Sequence, residues 1–144
     1  MLELPVRRLD PDLALPAYAR PGDAGLDLQA RTDVVIAAGG GRALVPTGLA
    51  VAIPEGHAGL VLPRSGLASR EGLTLANAPG LIDAGYRGEV TIAVVNLDRE
   101  RPVTISKGQR IAQLLVVPFA AVEPVQVEEL PESTRGQGGF GSTG

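Results

Sequence analysis

Between Leu73 and Leu97 the sequence runs LTLANAPGLIDAGYRGEVTIAVVNL, with Asn77, Asp83, Tyr86 and Arg87 gathered between two apolar arms. The arms predict two strands of one hairpin, so the polar groups fall on its turn. Asn-Gly alone can close a hairpin, so a carboxylate, a phenol and a guanidinium there mark a candidate site; a solvated loop is the plainer alternative. Gly80, Gly85 and Gly88 in the same stretch predict backbone conformations that other residues avoid.

Three further groups have the chemistry of anion binding. In PRSGLASREG (63–72), Arg64 and the Ser65 hydroxyl stand where a strand gives way to a short helix, with Ser65 as its expected N-cap and Gly72 as its stop. Free backbone N–H groups beside a guanidinium suit an anion, and ordinary capping is the alternative. Gln113 interrupts the apolar run RIAQLLVVPF (110–119); if buried it needs a partner, either a strand edge or a ligand. The tail STRGQGGFGSTG (133–144) sets Arg135, Phe140, Ser142 and Thr143 among five glycines, and its GFGST stretch can wrap a phosphate with amides and hydroxyls. It lacks the lysine and the strand–loop–helix setting of a Walker A loop. It also has too little apolar surface to offset its own ordering entropy, so a mobile tail is the alternative.

Short strands must position these groups. Residues 2–9 read as an edge strand broken by Pro5, and 10–23 as a Pro-rich loop. In AGLDLQA (24–30), alternation puts Leu26 and Leu28 on one face and Asp27 on the other. Further strands are expected at 34–36, 43–45, 48–53, 58–62, 102–105, 110–119 and 121–127, with turns at 39–41 and 54–56. The second hairpin arm alternates Val90, Ile92 and Val94 with Thr91, Ala93 and Val95, so both its faces are expected to be covered. His57 has no second ligand nearby in sequence and reads as a surface residue.

A chain of 144 residues suits one domain with a substantial core, and its 19 Gly, 12 Pro and 3% aromatic content favour short strands and tight turns, hence an all-β fold. Without cysteine there is neither a disulfide framework nor a thiolate metal site. The net charge of -3, with both signs scattered, offers no basic face to nucleic acid, and no long apolar run suits a membrane; neither is an expected partner. No basic region followed by a long apolar run opens the sequence, which makes the cytoplasm the expected location.

Taken together and in order, AGLDL (24–28), PRSGLA (63–68), NAPGLIDAGYRGE (77–89), GQRIAQ (108–113) and RGQGGFGSTG (135–144) resemble the five motifs of the trimeric deoxyuridine triphosphatases. The resemblance implies an all-β, distorted jelly roll with one short helix, assembled as a homotrimer with shared active sites. It implies a body over 1–132 and a Gly-rich arm over 133–144 that closes a neighbouring chain's site. The implied reaction is Mg²⁺-dependent hydrolysis of dUTP to dUMP and pyrophosphate, by water attack on the α-phosphorus. By the same resemblance, Asp83 would hold and deprotonate the water, and Asp27 would help hold Mg²⁺ through metal-bound water. Arg64, Ser65, Gly66 and Gln113 would contact phosphate, Arg135 would reach the terminal phosphate, and Phe140 would lie over uracil with Gly141 and Ser142 completing the closure. Asn77 and the backbone of Gly80, Leu81 and Ile82 would read the uracil edge. Tyr86 would pack beneath the deoxyribose and exclude a 2′-hydroxyl, while Thr91 would contact substrate through its backbone. Two alternatives stand beside this: a dCTP deaminase of the same general fold, revealed by ammonia release, and a non-catalytic nucleotide-binding relative, revealed by binding without turnover.

Overall fold

Apolar side chains at every second position give most strands one face for a shared core, and the chain answers with two sheets packed across it. The structure is a computed structural model in which residues 1–141 are described. The elements are β1 (Val6–Arg8), β2 (Leu26–Gln29), β3 (Val34–Ile36), β4 (Arg42–Val51), β5 (His57–Pro63), α1 (Ser65–Glu71), β6 (Leu73–Leu75), β7 (Gly80–Ile82), β8 (Glu89–Asn96), β9 (Val103–Ile105) and β10 (Arg110–Pro118). One sheet has the order β1-β4-β8-β6, the other β2-β10-β5-β7, and β3 pairs with β9 in a two-stranded ribbon. This is the expected all-β, distorted jelly roll with a single short helix.

The core lies between the sheets, with Leu28, Ile36, Val45, Ile92, Val94, Ile105, Ile111 and Leu114 almost completely buried. Along β8 the inward set is Val90, Ile92, Val94 and Asn96; Thr91 is exposed, whereas Ala93 and Val95 are half-buried. The expectation that both faces of β8 are covered therefore holds for its second half only. Asn96 is fully buried and fully partnered: its Nδ2 donates to Ile36 O at 3.2 Å and Arg101 O at 2.9 Å, and its Oδ1 accepts from Asp98 N at 2.9 Å. It ties the end of β8 to β3 and to the turn that follows.

Where two strand pieces were expected at 43–45 and 48–53, β4 is one strand with a bulge: its register against β8 shifts between Pro46 and Ala50. Gly48 sits in the bulge at φ 70, in the left-handed region that glycine enters without strain. β1 occupies the expected edge position beside β4. Residues 121–127, expected as a last strand, are exposed and join no sheet among the described residues. Their valines have strand propensity, but this chain alone supplies no ladder for them.

The stretch 73–97 departs most from expectation. Its two arms do pair, Leu73 with Asn96, Thr74 with Val95 and Leu75 with Val94. Its centre is more than a turn, because β7 leaves for the other sheet and pairs antiparallel with β5, Leu81 opposite Leu60. One continuous segment therefore bridges both sheets, with β7 at a sheet edge.

Candidate active site

The crossing of β7 from one sheet to the other opens a cleft between the strand margins it leaves behind. The cleft has a volume of about 210 Å³ and is lined by residues of β7, by Val90–Ala93 of β8, and by Asn77, Asp83, Tyr86 and Glu89. β6 covers β8 only at Val94, Val95 and Asn96, and β7 pairs only on its β5 side. Ala76 N still donates to Ala93 O at 2.8 Å, so the open part of the β8 margin lies around Thr91, facing the free edge of β7, and both are placed to hydrogen-bond a flat ligand as they would another strand.

Asp83 is exposed at this cleft and forms no ion pair among the described residues, so its carboxylate is available to water or ligand. Its backbone oxygen accepts from Tyr86 N at 3.1 Å, which sets the tight turn between them. Arg87 holds that turn from outside, donating through Nη1 to Ala84 O at 2.6 Å and Tyr86 O at 2.8 Å. Asn77 lies against Gly80, with its Nδ2 3.3 Å from where a Cβ would stand. None of Gly80, Gly85 and Gly88 has a positive φ, and only at Gly80 and Gly88 would an added Cβ meet a close neighbour. At Gly88 the Tyr86 phenol occupies the volume a side chain would need.

A second, separate cavity of about 360 Å³ collects the residues expected to hold phosphate. Asp27, Arg64, Ser65, Gly66 and Gln113 line it together with Asp23, Gly25 and Arg70. Arg64, extended at φ -88 and ψ 124, is the N-cap of α1, and no side chain caps the helix. Ser65 is therefore its first residue rather than the expected cap, and its exposed hydroxyl is left for other partners. Gly72 stops the helix as expected, at φ 69, with its N–H on Ala68 O at 3.1 Å. Asp27 orients the guanidiniums: Arg110 Nη1 donates to its Oδ2 at 3.0 Å, and Arg64 Nε lies 3.5 Å from its Oδ1. Arg64 Nη1 also donates to Arg110 O at 3.1 Å, so the fork is braced from two sides. Gln113 Nε2 donates to Pro63 O at 3.1 Å, which answers its need for a partner at a strand edge and leaves its amide on the cavity wall.

Gly25 and Arg70 line this cavity and Arg110 braces it from outside through Asp27, yet none of the three was an expected site residue. Gly25 stood inside AGLDL and Arg110 inside GQRIAQ, so the signal for both was present. Arg70, four residues beyond Gly66 on α1, brings its Nη2 to 2.9 Å from where a Gly66 Cβ would be.

The donor set admits a divalent cation only as a partner of bound ligand. No group of three or more His, Cys, Asp or Glu side chains among the described residues makes a ready metal cage. Asp27, already serving two guanidiniums, can still accept from metal-bound water, which suits Mg²⁺ because that ion keeps its waters and prefers phosphate oxygens. The two guanidiniums lining the cavity, Arg64 and Arg70, are balanced by Asp23 and Asp27, and Arg110 beside it adds about one positive charge through Asp27, too little for a triphosphate without a cation.

Arg135, Phe140 and Gly141 line neither cavity. Arg135 Nε donates to Gly138 O at 2.6 Å, and Phe140 is wholly exposed at φ 50. Ser142 lies outside the described residues. His57 is half-buried at the start of β5, its Nδ1 3.0 Å from Glu55 O. No helix among the described residues is long and apolar enough to cross a membrane.

An all-β body with a strand-margin cleft and an arginine-braced cavity defines a protein built to take a flat, hydrogen-bonding group and an anion. The family model described as dUTPase matches residues 12–144. Deoxyuridine 5'-triphosphate nucleotidohydrolases of Thermobifida fusca and Mycolicibacterium gilvum are 56% and 55% identical, over 96% and 98% of this chain and 77% and 94% of their own. A mutant Staphylococcus bacteriophage 80alpha dUTPase with dUpNHpp superposes with a TM-score of 0.86 at 32% identity, covering 100% of this chain and 99% of its own. A mutant dUTPase of phage phi11 of S. aureus, solved with the coordination of a structural Mg(II) ion, gives 0.82 at 30% identity, over 91% of this chain and 100% of its own. The chain belongs to the dUTPase family.

Proposed function

We propose that the protein hydrolyses dUTP to dUMP and pyrophosphate in the cytoplasm, supplying dUMP for thymidylate synthesis and keeping uracil out of DNA. The observation that supports this most is the placement of Asp83 at the rim of a cleft bounded by the free edge of β7 and the open part of the β8 margin. Uracil presents an N–H between two carbonyls, the pattern of a strand edge. Gly80, Leu81 and Ile82 read it through their backbone, Asn77 adds an amide, and Thr91 contributes its backbone from the facing margin. Cytosine offers the wrong donor pattern and leaves groups unpaired. Tyr86 packs beneath the deoxyribose and leaves no room for a 2′-hydroxyl.

Asp83 orients a water molecule toward the α-phosphorus and takes its proton as the new P–O bond forms; pyrophosphate leaves with the electrons of the broken bond. Arg64, Ser65, Gly66 and Gln113 hold the phosphate chain, the guanidinium offering a planar fork to its oxygens. Asp27 would help hold Mg²⁺ through metal-bound water, and the ion would supply the positive charge that the arginines lack.

The two cavities are separate on one chain, and the first is smaller than the roughly 300–1,000 Å³ of a complete small-molecule site. As the family resemblance implies, each serves as part of a site in a homotrimer: one subunit gives the uracil cleft, a second the phosphate cavity, and a third the arm. In this assembly residues 1–132 are the body and 133–144 the arm, with Arg135 on the terminal phosphate, Phe140 over uracil, and Gly141 and Ser142 closing the site. An arm exposed on its own chain offsets its ordering cost when it closes on a neighbour.

A panel of dUTP, dCTP, dTTP and UTP, each with and without Mg²⁺, tests the proposal. Pyrophosphate released from dUTP alone, and only with Mg²⁺, is expected. Ammonia from dCTP, or tight dUTP binding without turnover, overturns it.

A further inference from the structure

We infer that Glu89 is a positioning residue for sugar discrimination, acting through Tyr86; the inference rests on the sugar-side role of Tyr86 proposed above. The Tyr86 hydroxyl donates to the backbone oxygen of Glu89 at 2.9 Å, and the hydroxyl end of the phenol fills the space a Gly88 side chain would need. The orientation of the phenol therefore follows the position of the Glu89–Val90 peptide. That peptide is anchored by the Glu89 side chain, whose Oε1 accepts from Gly48 N at 2.8 Å and from Arg31 Nη1 at 3.1 Å, with Oε2 at 3.3 Å from the same nitrogen. Gly48 belongs to the β4 bulge, and Thr47 next to it donates to Val90 O at 2.6 Å. The bulge thus grips the first two residues of β8 by a side chain and by a carbonyl.

Arg31 is itself held. Its Nη2 donates to Leu9 O at 3.4 Å, its Nε lies 3.6 Å from Asp10 Oδ2, and Lys107 Nζ reaches the same Asp10 oxygen at 3.0 Å. Lys107 and Asp10 pull one another's protonation apart: hydrogen bonding to Lys107 holds the Asp10 carboxyl below the usual range, and the same contact raises Lys107. The result is a braced line of charges from Lys107 through Asp10 and Arg31 to Glu89. It ends on the one carbonyl that orients the phenol. A carboxylate in this position has no need to touch substrate; it sets where the ring wall stands.

The test measures kcat/KM for dUTP and for UTP with Mg²⁺ in the parent and in Glu89→Ala, Glu89→Gln, Arg31→Met, Tyr86→Phe and Tyr86→Ala. Loss of folded protein lowers both substrates equally and leaves their ratio unchanged, so the ratio isolates positioning. Glu89→Ala and Arg31→Met are expected to lower the dUTP:UTP ratio by about tenfold, and Glu89→Gln, which keeps an acceptor for Gly48 N–H, by less. Tyr86→Phe, which removes only the bond to the Glu89 carbonyl, is expected to shift the ratio the same way and serves if the Glu89 variants do not fold. A ratio that falls in Tyr86→Ala but stays at the parental value in Glu89→Ala, Arg31→Met and Tyr86→Phe overturns the inference alone. A parental ratio in Tyr86→Ala overturns the role of Tyr86 and the inference with it.

Discussion

The Gln113 side-chain oxygen lies 2.5 Å from where a Cβ on Gly25 would stand, with Gln113 Cβ and Cδ both at 3.1 Å. The loop before β2 therefore closes on β10 only because residue 25 has no side chain. Gly25→Ala must displace the Gln113 amide from the phosphate cavity. Turnover of dUTP is expected to fall about ten- to a hundredfold. Because the displaced atoms are the end of a flexible side chain, the stability cost is expected to stay within about 1–2 kcal/mol. Steady-state kinetics beside thermal melts separate the two effects.

The proposed division of the site between two cavities predicts complementation. Asp83→Asn is expected to lower kcat by at least about a hundredfold with little change in melting temperature, because the side chain is exposed. Arg64→Ala is expected to be impaired through the other cavity. Co-expressed in equal amounts, the two variants are expected to recover about a quarter of parental activity, since each intact cleft can meet an intact phosphate cavity on a neighbour. Pyrophosphate release from the purified mixture measures it; no recovery in demonstrably mixed trimers contradicts a shared site.

Asn96 predicts a stability effect remote from the chemistry. Asn96→Ala leaves the buried Ile36 O and the partly buried Arg101 O without their amide donor and Asp98 N without its acceptor. A loss of about 2–4 kcal/mol is expected by denaturant unfolding.

Asp98 predicts part of the acid limb of the stability profile. The backbone N–H groups of Arg101 and Glu100, then the Arg101 guanidinium, lower its pKa from 3.8 to about 2. A depressed carboxyl contributes stability that is complete above 3.8 and lost as pH falls through about 2. Asp98→Asn is expected to flatten that limb relative to the parent in acid unfolding followed by circular dichroism.

Local signals carried the residues that line the two cavities, and non-local geometry carried the rest. Asp83, Asn77, Tyr86, Arg64 and Gln113 sit in short motifs whose residue types announced polar chemistry, and each lines one of the two cavities. The step of β7 into the other sheet was hidden, because three residues are too few to carry a period. Arg31 and Glu89 meet across 58 positions, which no local pattern registers. Residues 121–127 show the opposite failure: Val122, Val125 and Val127 have strand propensity, yet all are exposed, since propensity cannot supply a partner. The centre of the 73–97 stretch looked like a place for unusual φ values, but Gly88 serves there by yielding space to a ring.

The free margin of β7 also bears on how the molecule keeps company with itself. A bare strand border invites any extended peptide to add to it, the first step of aberrant stacking. Here the border is three residues long, with Leu81 exposed at its middle. By the proposed function it is long enough to greet a nucleobase, and it is too short to template a growing fibril, so the same brevity that would scale the cleft to its guest guards against runaway association.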